Sequence, residues 1–263
     1  GLFFNSGSAT NTVSNSYVQG STAAFLINSV GSTIDSSVLV ATSPTGNALW
    51  LTGGSVNLTL VADTLIGGQS GAGVFLDSNN TGAIAFSSNT IKAARYGLLI
   101  STQSAGASLA VATMTFASLA AGATAVQFTG GTFISTFTAM DFDSSVAVNV
   151  NASLLNTASR ITMNAHSGAR TGAVYENDPN SLVDWQVAAA PTAPTTFAGV
   201  AQSSTTILWS WTDNSSDETG FRVKLGGGNL SGDLAANATT WLQTAGLTAN
   251  ATSGSLLAQA FNS

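Results

Sequence analysis

A repeat of about 24 residues limits what this chain can fold into more than any other feature. Short apolar stretches recur as Gly1-Leu2-Phe3-Phe4, Ala24-Phe25-Leu26-Ile27, Ala48-Leu49-Trp50-Leu51, Gly73-Val74-Phe75-Leu76, Gly97-Leu98-Leu99-Ile100, Ala125-Val126-Gln127-Phe128 and Val148-Asn149-Val150. Their last apolar residues step by 23, 24, 25, 24, 28 and 22 residues, and a further 25 reaches Tyr175. A second marker keeps the same period: a polar residue with a large apolar one two places later, at Asn15/Tyr17, Ser36/Val38, Asp63/Leu65 and Asn89/Ile91. Its next two copies read Met114/Phe116 and Met140/Phe142, which leave the polar pattern, so a wider or differently packed bend is expected there. A unit this short cannot bury its inner face alone, but stacked copies can.

The residues within each unit say how the copies stack. Val, Ile, Leu, Phe and Thr cluster in runs of three to six, the composition of strands. Gly, Ser, Asn and Asp separate the runs and supply turns. Parallel strands of successive coils then lie about 4.8 Å apart. Like residues pile on like, and an Asn/Ser/Asp column hydrogen-bonds from rung to rung at a tight bend. A propeller needs a period of about 40 or more, and a sandwich has no fixed period.

Residues Gly1 to about Trp185 resemble the right-handed parallel β-helix repeat family, the pectate-lyase-like solenoids. Asn15-Ser16-Tyr17-Val18 and Ser88-Asn89-Thr90-Ile91 carry the likeness most directly. The resemblance covers roughly 70% of the chain and implies a fold without implying an activity.

Composition shifts after Trp185. Ala188-Ala189-Ala190-Pro191-Thr192-Ala193-Pro194 reads as a linker of small residues and Pro. Beyond it, Trp211 to Phe221 runs Trp-Thr-Asp-Asn-Ser-Ser-Asp-Glu-Thr-Gly-Phe, and the chain ends in Ala260-Phe261-Asn262-Ser263. This stretch is similar to bacterial fibronectin type III modules, with Trp211 in the place of their core Trp. It lacks the Tyr usual after their Leu turn, since Thr252, Ser253 and Gly254 stand there. The resemblance implies an extracellular, multi-part protein. The expected fold is therefore all-β: a right-handed parallel β-helix over residues 1–187 with about seven to eight coils, a linker over 188–194, and a fibronectin type III-like β-sandwich over 195–263.

Composition excludes several functions. Charged residues make up 7%, against roughly 25% in ordinary soluble domains. Six basic residues against twelve acidic ones give no electrostatic footprint for nucleic acid. An apolar content of 44% excludes intrinsic disorder. No Cys is present, so disulfides and thiol chemistry play no part. Tyr96 to Met140 is uncharged, but Ser, Thr, Gln and Gly interrupt it every few residues, so no membrane span is expected. Gly1-Leu2-Phe3-Phe4 has no basic leader region, which reads as a mature or truncated product. Gly1 is expected to open directly into a coil, leaving an end that invites pairing with more chain or with another subunit.

Candidate chemistry is sparse. Asp141 and Asp143 flank Phe142, and strand alternation places both on one face. They could form a catalytic carboxylate pair or part of a Ca²⁺ site, though two solvated turn or outer-face aspartates are the simpler reading. Arg160, His166 and Arg170 lie one coil later, and Lys92 and Arg95 at a turn; both sets read as surface groups. Asp35, Asp63 and Asp77 read as turn formers. Asp213, Asp217 and Glu218 have Ca²⁺-ligand chemistry but sit where turn capping is expected. Gly226-Gly227-Gly228 looks like a hairpin tip. No cofactor or metal is expected.

Seven Asn-x-Ser/Thr sequons, at Asn57, Asn79, Asn151, Asn214, Asn229, Asn237 and Asn250, are candidate N-glycosylation sites. The sequence therefore points to an extracellular structural protein of a cell surface: a self-assembling filament, surface-layer or adhesin-stalk subunit whose partners are its own copies and glycans. The alternative is a carbohydrate-active β-helix enzyme or glycan-binding protein, with Asp141 and Asp143 as its carboxylates and Tyr17, Trp50 and Tyr96 as stacking rings.

Overall fold

A computed structural model describes residues 1–5, 7–77, 80, 82–103, 108–186, 191–216, 218–247 and 255–261. The chain divides into two compact units, Gly1–Val187 and Ala188–Ser263. The first is a parallel β-solenoid of about seven turns. One wall, sheet A, stacks Leu2–Phe4, Ala24–Ile27, Leu49–Thr52, Ala72–Leu76, Tyr96–Ile100, Ala123–Phe128, Val146–Asn151 and Glu176–Asn177 in chain order.

The other wall, sheet B, has twelve strands among the described residues. Each of the first four coils gives it two short strands: Thr12–Ser14 with Tyr17–Gly20, Thr33–Asp35 with Val38–Ala41, Leu58–Val61 with Thr64–Ile66, and Ala83–Ser87 with Thr90–Lys92. From the fifth coil the two become one, Ser108–Phe116 and then Ile134–Phe142, followed by Arg160–Asn164 and Val183–Gln186. The uncharged Tyr96–Met140 stretch is thus spread over four strands, and no described helix is long and apolar enough to cross a membrane.

Register turns the repeat into columns. Leu26, Leu51, Leu76, Ile100 and Phe128 lie directly over one another, all at most 1% exposed. Leu39, Leu65, Ile91, Phe116 and Phe142 form a second inward column, and each such residue contributes roughly 2 kcal/mol of burial. Small residues make room for this second column. A Cβ on Gly73 would lie 2.3 Å from Ile91 Cγ2, and one on Gly97 2.5 Å from the Phe116 ring. Glycine is kept at these two positions by lack of space.

The corner between the paired strands of sheet B has a fixed backbone. Asn15, Ser36, Ala62, Ser88, Thr113, Ala139 and Ala165 all take φ between 48° and 56°. That left-handed conformation is costly away from Gly, Asn and Asp. It persists because the coils above and below impose it on each rung. The bend therefore survives at Thr113 and Ala139, inside the merged strands, where Met114 packs directly under Met140 with neither exposed.

The second unit is antiparallel. One sheet orders Thr195–Ser203, Thr206–Thr212 and Thr240–Gln243. The other pairs Gly220–Leu225 with Gly228–Asn229, Leu234–Ala235 and Leu256–Phe261. Trp209 and Trp211 from the first sheet share a core with Phe221, Val223, Ala258 and Ala260 from the second, the arrangement of a sandwich. Gly226 and Gly227, with φ of 57° and 93°, form the two-residue turn where a hairpin tip was expected.

Candidate functional site

The polar corner column is the most organised set of side chains in the solenoid. The Ser16 amide donates to Ser37 Oγ at 3.1 Å, the Ser37 amide to Asp63 Oδ1 at 2.8 Å, and the Asp63 amide to Asn89 Oδ1 at 2.9 Å. Asn89 Nδ2 then donates back to the Leu60 carbonyl at 3.0 Å. The first two coils are out of phase with the sequence reading by one residue. Ser16 and Ser37 hold the ladder, whereas Asn15 and Ser36 occupy the left-handed corner.

Asp63 sits at the bend, as a turn former would, but it is buried there. It is 1% exposed, and its Oδ2 has no partner among the described residues. Burial pushes its carboxyl up to about 6; the nearby Asp35 charge adds to this, against hydrogen bonds from the Ser37 and Val61 amides.

A second ladder closes the ends of the sheet A strands. Ser55 Oγ donates to the Leu26 carbonyl at 3.4 Å, Asn80 Nδ2 to that of Leu51 at 3.4 Å, and Gln103 Nε2 to that of Leu76 at 3.3 Å. Asn80 and Gln103 are also joined, Nδ2 to Oε1, at 3.0 Å. Sequence reading missed this ladder because Ser55, Asn80 and Gln103 sit in loops already rich in Ser, Asn, Thr and Gly, where one polar residue per coil does not stand out.

Asp141 and Asp143 do lie on either side of buried Phe142. Asp143 is committed to its neighbours: Oδ2 accepts the Ser118 amide at 2.8 Å, while Oδ1 accepts both the amide and the hydroxyl of Ser145. Burial opposes its ionisation, but those hydrogen bonds outweigh it and hold the carboxyl below the usual carboxylate range. Asp141 Oδ1 accepts the Ser167 hydroxyl at 3.1 Å.

The cationic residues do not converge on this pair. Arg160 donates to the Thr157 and Ser159 carbonyls. Arg170 donates to the Ser144 carbonyl and lies 5.1 Å from the Tyr175 ring. Arg95 donates to the Ala121 and Gly122 carbonyls, and Lys92 is exposed. His166 is not a surface group: it is half-buried, edge-on to Trp185 at 4.9 Å, and desolvation holds its pKa below the usual imidazole value. Trp185 Nε1 in turn donates to Glu176 Oε2 at 2.5 Å, across the last rung of the solenoid. Burial raises the Glu176 carboxyl, and the Asp178 charge adds to it, against that hydrogen bond.

The proposed stacking rings are likewise separated. Trp50 sits in sheet A with its ring between Phe25 at 4.9 Å and Phe75 at 5.5 Å, and its Nε1 donates to Asp77. Phe3 continues this outer aromatic stack at 5.5 Å from Phe25. These ring faces are spent on one another. Tyr96 is also in sheet A, whereas Tyr17, 65% exposed, is in sheet B.

In the second unit, Asp213 Oδ1 accepts the Ser215 amide and Glu218 Oε1 accepts the Asn237 amide, both at 2.9 Å. Asp217 lies outside the described residues. No group of three His, Cys, Asp or Glu among the described residues is placed to hold a metal ion.

The sequons separate by side-chain commitment. Asn151 gives its amide NH₂ to Gln127, Asn214 to the Ala193 carbonyl and Thr195, and Asn229 to Asp233. Asn57 and Asn237 are exposed at left-handed turns, with φ of 53° and 60°. Asn57 Oδ1 accepts the Ala83 amide. Asn79 and Asn250 lie outside the described residues.

Comparison with family models, with curated proteins and with solved structures finds no match to this chain.

Proposed function

We propose that this chain is a structural element of a cell surface: a stiff extracellular rod belonging to a self-assembling filament, surface layer or adhesin stalk. In this reading a right-handed, pectate-lyase-like solenoid carries a fibronectin type III-like module as spacer. The observation that carries it is where the polar groups are spent. The corner column, the strand-end ladder and the Asp143 cap all hold one coil to the next.

A surface rich in Ser and Thr and poor in charge supports the same reading, because such faces cost less to desolvate against a neighbour than ionic ones. Asn57 and Asn237 are the sequons best placed to carry glycans, both being exposed, with no bond from either side-chain NH₂ among the described residues. The test is electron microscopy and sedimentation of the purified full chain across a wide concentration range. Ordered polymers are expected; a strict monomer at high concentration overturns self-assembly.

The outward placement of Asp141 and Asp143 around Phe142 keeps a carbohydrate-active reading testable. Release of reducing sugar or unsaturated uronate from a polysaccharide panel, lost on Asp141→Asn or Asp143→Asn, would replace the structural reading.

A further inference from the structure

Leu256–Phe261 is one of the sandwich's edge strands that nothing in the described chain completes. Leu256–Phe261 pairs through six register positions with Gly220–Leu225 and with no other strand among the described residues. Natural edge strands are usually blunted by a charge, a Pro or a bulge. Leu-Leu-Ala-Gln-Ala-Phe has no charge and no Pro, and its register is unbroken.

Beside this strand runs a groove of about 490 Å³. Leu257, Ala258, Gln259 and Ala260 all line it. Successive residues of a strand face opposite sides, and Ala258 and Ala260 point into the core while Leu257 and Gln259 are exposed. A groove touched by four consecutive residues therefore follows the backbone edge and not a face. Pro191 and Pro194 also line it, and they have no N–H with which to complete a hydrogen-bond ladder. Lys224 also lines the groove, with no ion-pair partner among the described residues.

We propose that this groove receives one extended strand of another polypeptide, pairing main chain to main chain with Leu256–Phe261. The occupant is mainly apolar and small, and it carries a carboxylate opposite Lys224. A second copy's Leu256–Phe261 does not fit this description, since Leu-Leu-Ala-Gln-Ala-Phe has no carboxylate to set opposite Lys224. The inference is independent of the structural role proposed above.

The experiment uses the full chain and a fluorescein-labelled heptapeptide of alternating Val and Thr that ends in Asp. Saturable binding is expected, with slowed hydrogen exchange along Leu257–Ala260. A central Pro in the peptide should weaken binding about tenfold or more, the effect of losing ladder hydrogen bonds. Lys224→Glu should reverse the preference between Asp-ended and Lys-ended peptides. No saturable binding at millimolar peptide, or equal binding of the Pro-containing peptide, overturns the proposal. So does concentration-dependent dimerisation that protects Leu257–Ala260 in the absence of peptide, which would assign the edge to a second copy.

Discussion

Replacing Asp63 by Asn should stabilise the solenoid at neutral pH and leave it nearly unchanged in acid. Asp63 is buried, with its carboxyl raised to about 6 from an ordinary 3.8. At about 1.4 kcal/mol per unit, holding the charged form in place costs about 2–3 kcal/mol. Because the folded value lies above the unfolded one, that cost is absent below about pH 4 and is incurred as pH rises through about 6. Asn keeps the oxygen that accepts the Ser37 amide. Its new NH₂ also has a ready partner. Asn89 donates to the Leu60 carbonyl, and Ile34 lies one coil below Leu60 in register, so Asn at position 63 would donate to Ile34.

Amide hydrogen exchange at Ser37 and Asp63 is the suitable assay, since a solenoid can open locally without unfolding as a whole. A gain of about 2 kcal/mol slows exchange roughly thirtyfold at pH 7.5, against little change near pH 3.5. Unchanged or faster exchange at pH 7.5 would refute the reasoning. A gain of equal size at both pH values would show that the charge is not its cause.

Gly73→Ala should cost about 1–3 kcal/mol by driving a methyl into Ile91, and Ile91→Leu, which moves the offending γ methyl, should recover part of it; urea midpoints of the two single variants and the double variant check this. Asp143→Ala should cost about 1–2 kcal/mol by uncapping the Ser118 and Ser145 amides. Since the Asp143 carboxyl is depressed, that cost should be full at neutral pH and fade as pH falls through its folded value, measurable in urea unfolding at pH 7 and pH 2.5. His166 is held below its ordinary value, so the native chain should lose stability as pH falls below about 6.5, and His166→Phe should remove that component of the profile in thermal melts.

The repeat was legible because stacking makes each coil repeat the last. Any residue that faces inward must recur at coil length, so the columns through Leu51, Leu76, Ile100 and Phe128 could be read directly. Asp141 alternates with Phe142 within its strand, whereas Asp143 lies just past the strand's end at a turn; the Gly226–Gly227 turn followed from glycine's freedom at positive φ. Phase was harder. Asn is at home both as a ladder acceptor, as at Asn89, and at a left-handed corner, as at Asn15, and one sequence cannot separate the two roles. Ile27 was likewise counted in a column that Leu26 fills.

Local patterning thus determined that the chain coils, how long each coil is and which side chains fill its interior, because apolar burial at a fixed period has few other solutions. Tertiary structure alone decided the Trp185–Glu176–His166 contact at the last rung, the burial that raises Asp63, and the open edge beside Leu256–Phe261. Each of these depends on groups many residues apart meeting, or failing to meet, in space. Hydrogen bonding and desolvation respond to that proximity, of which sequence spacing carries no record.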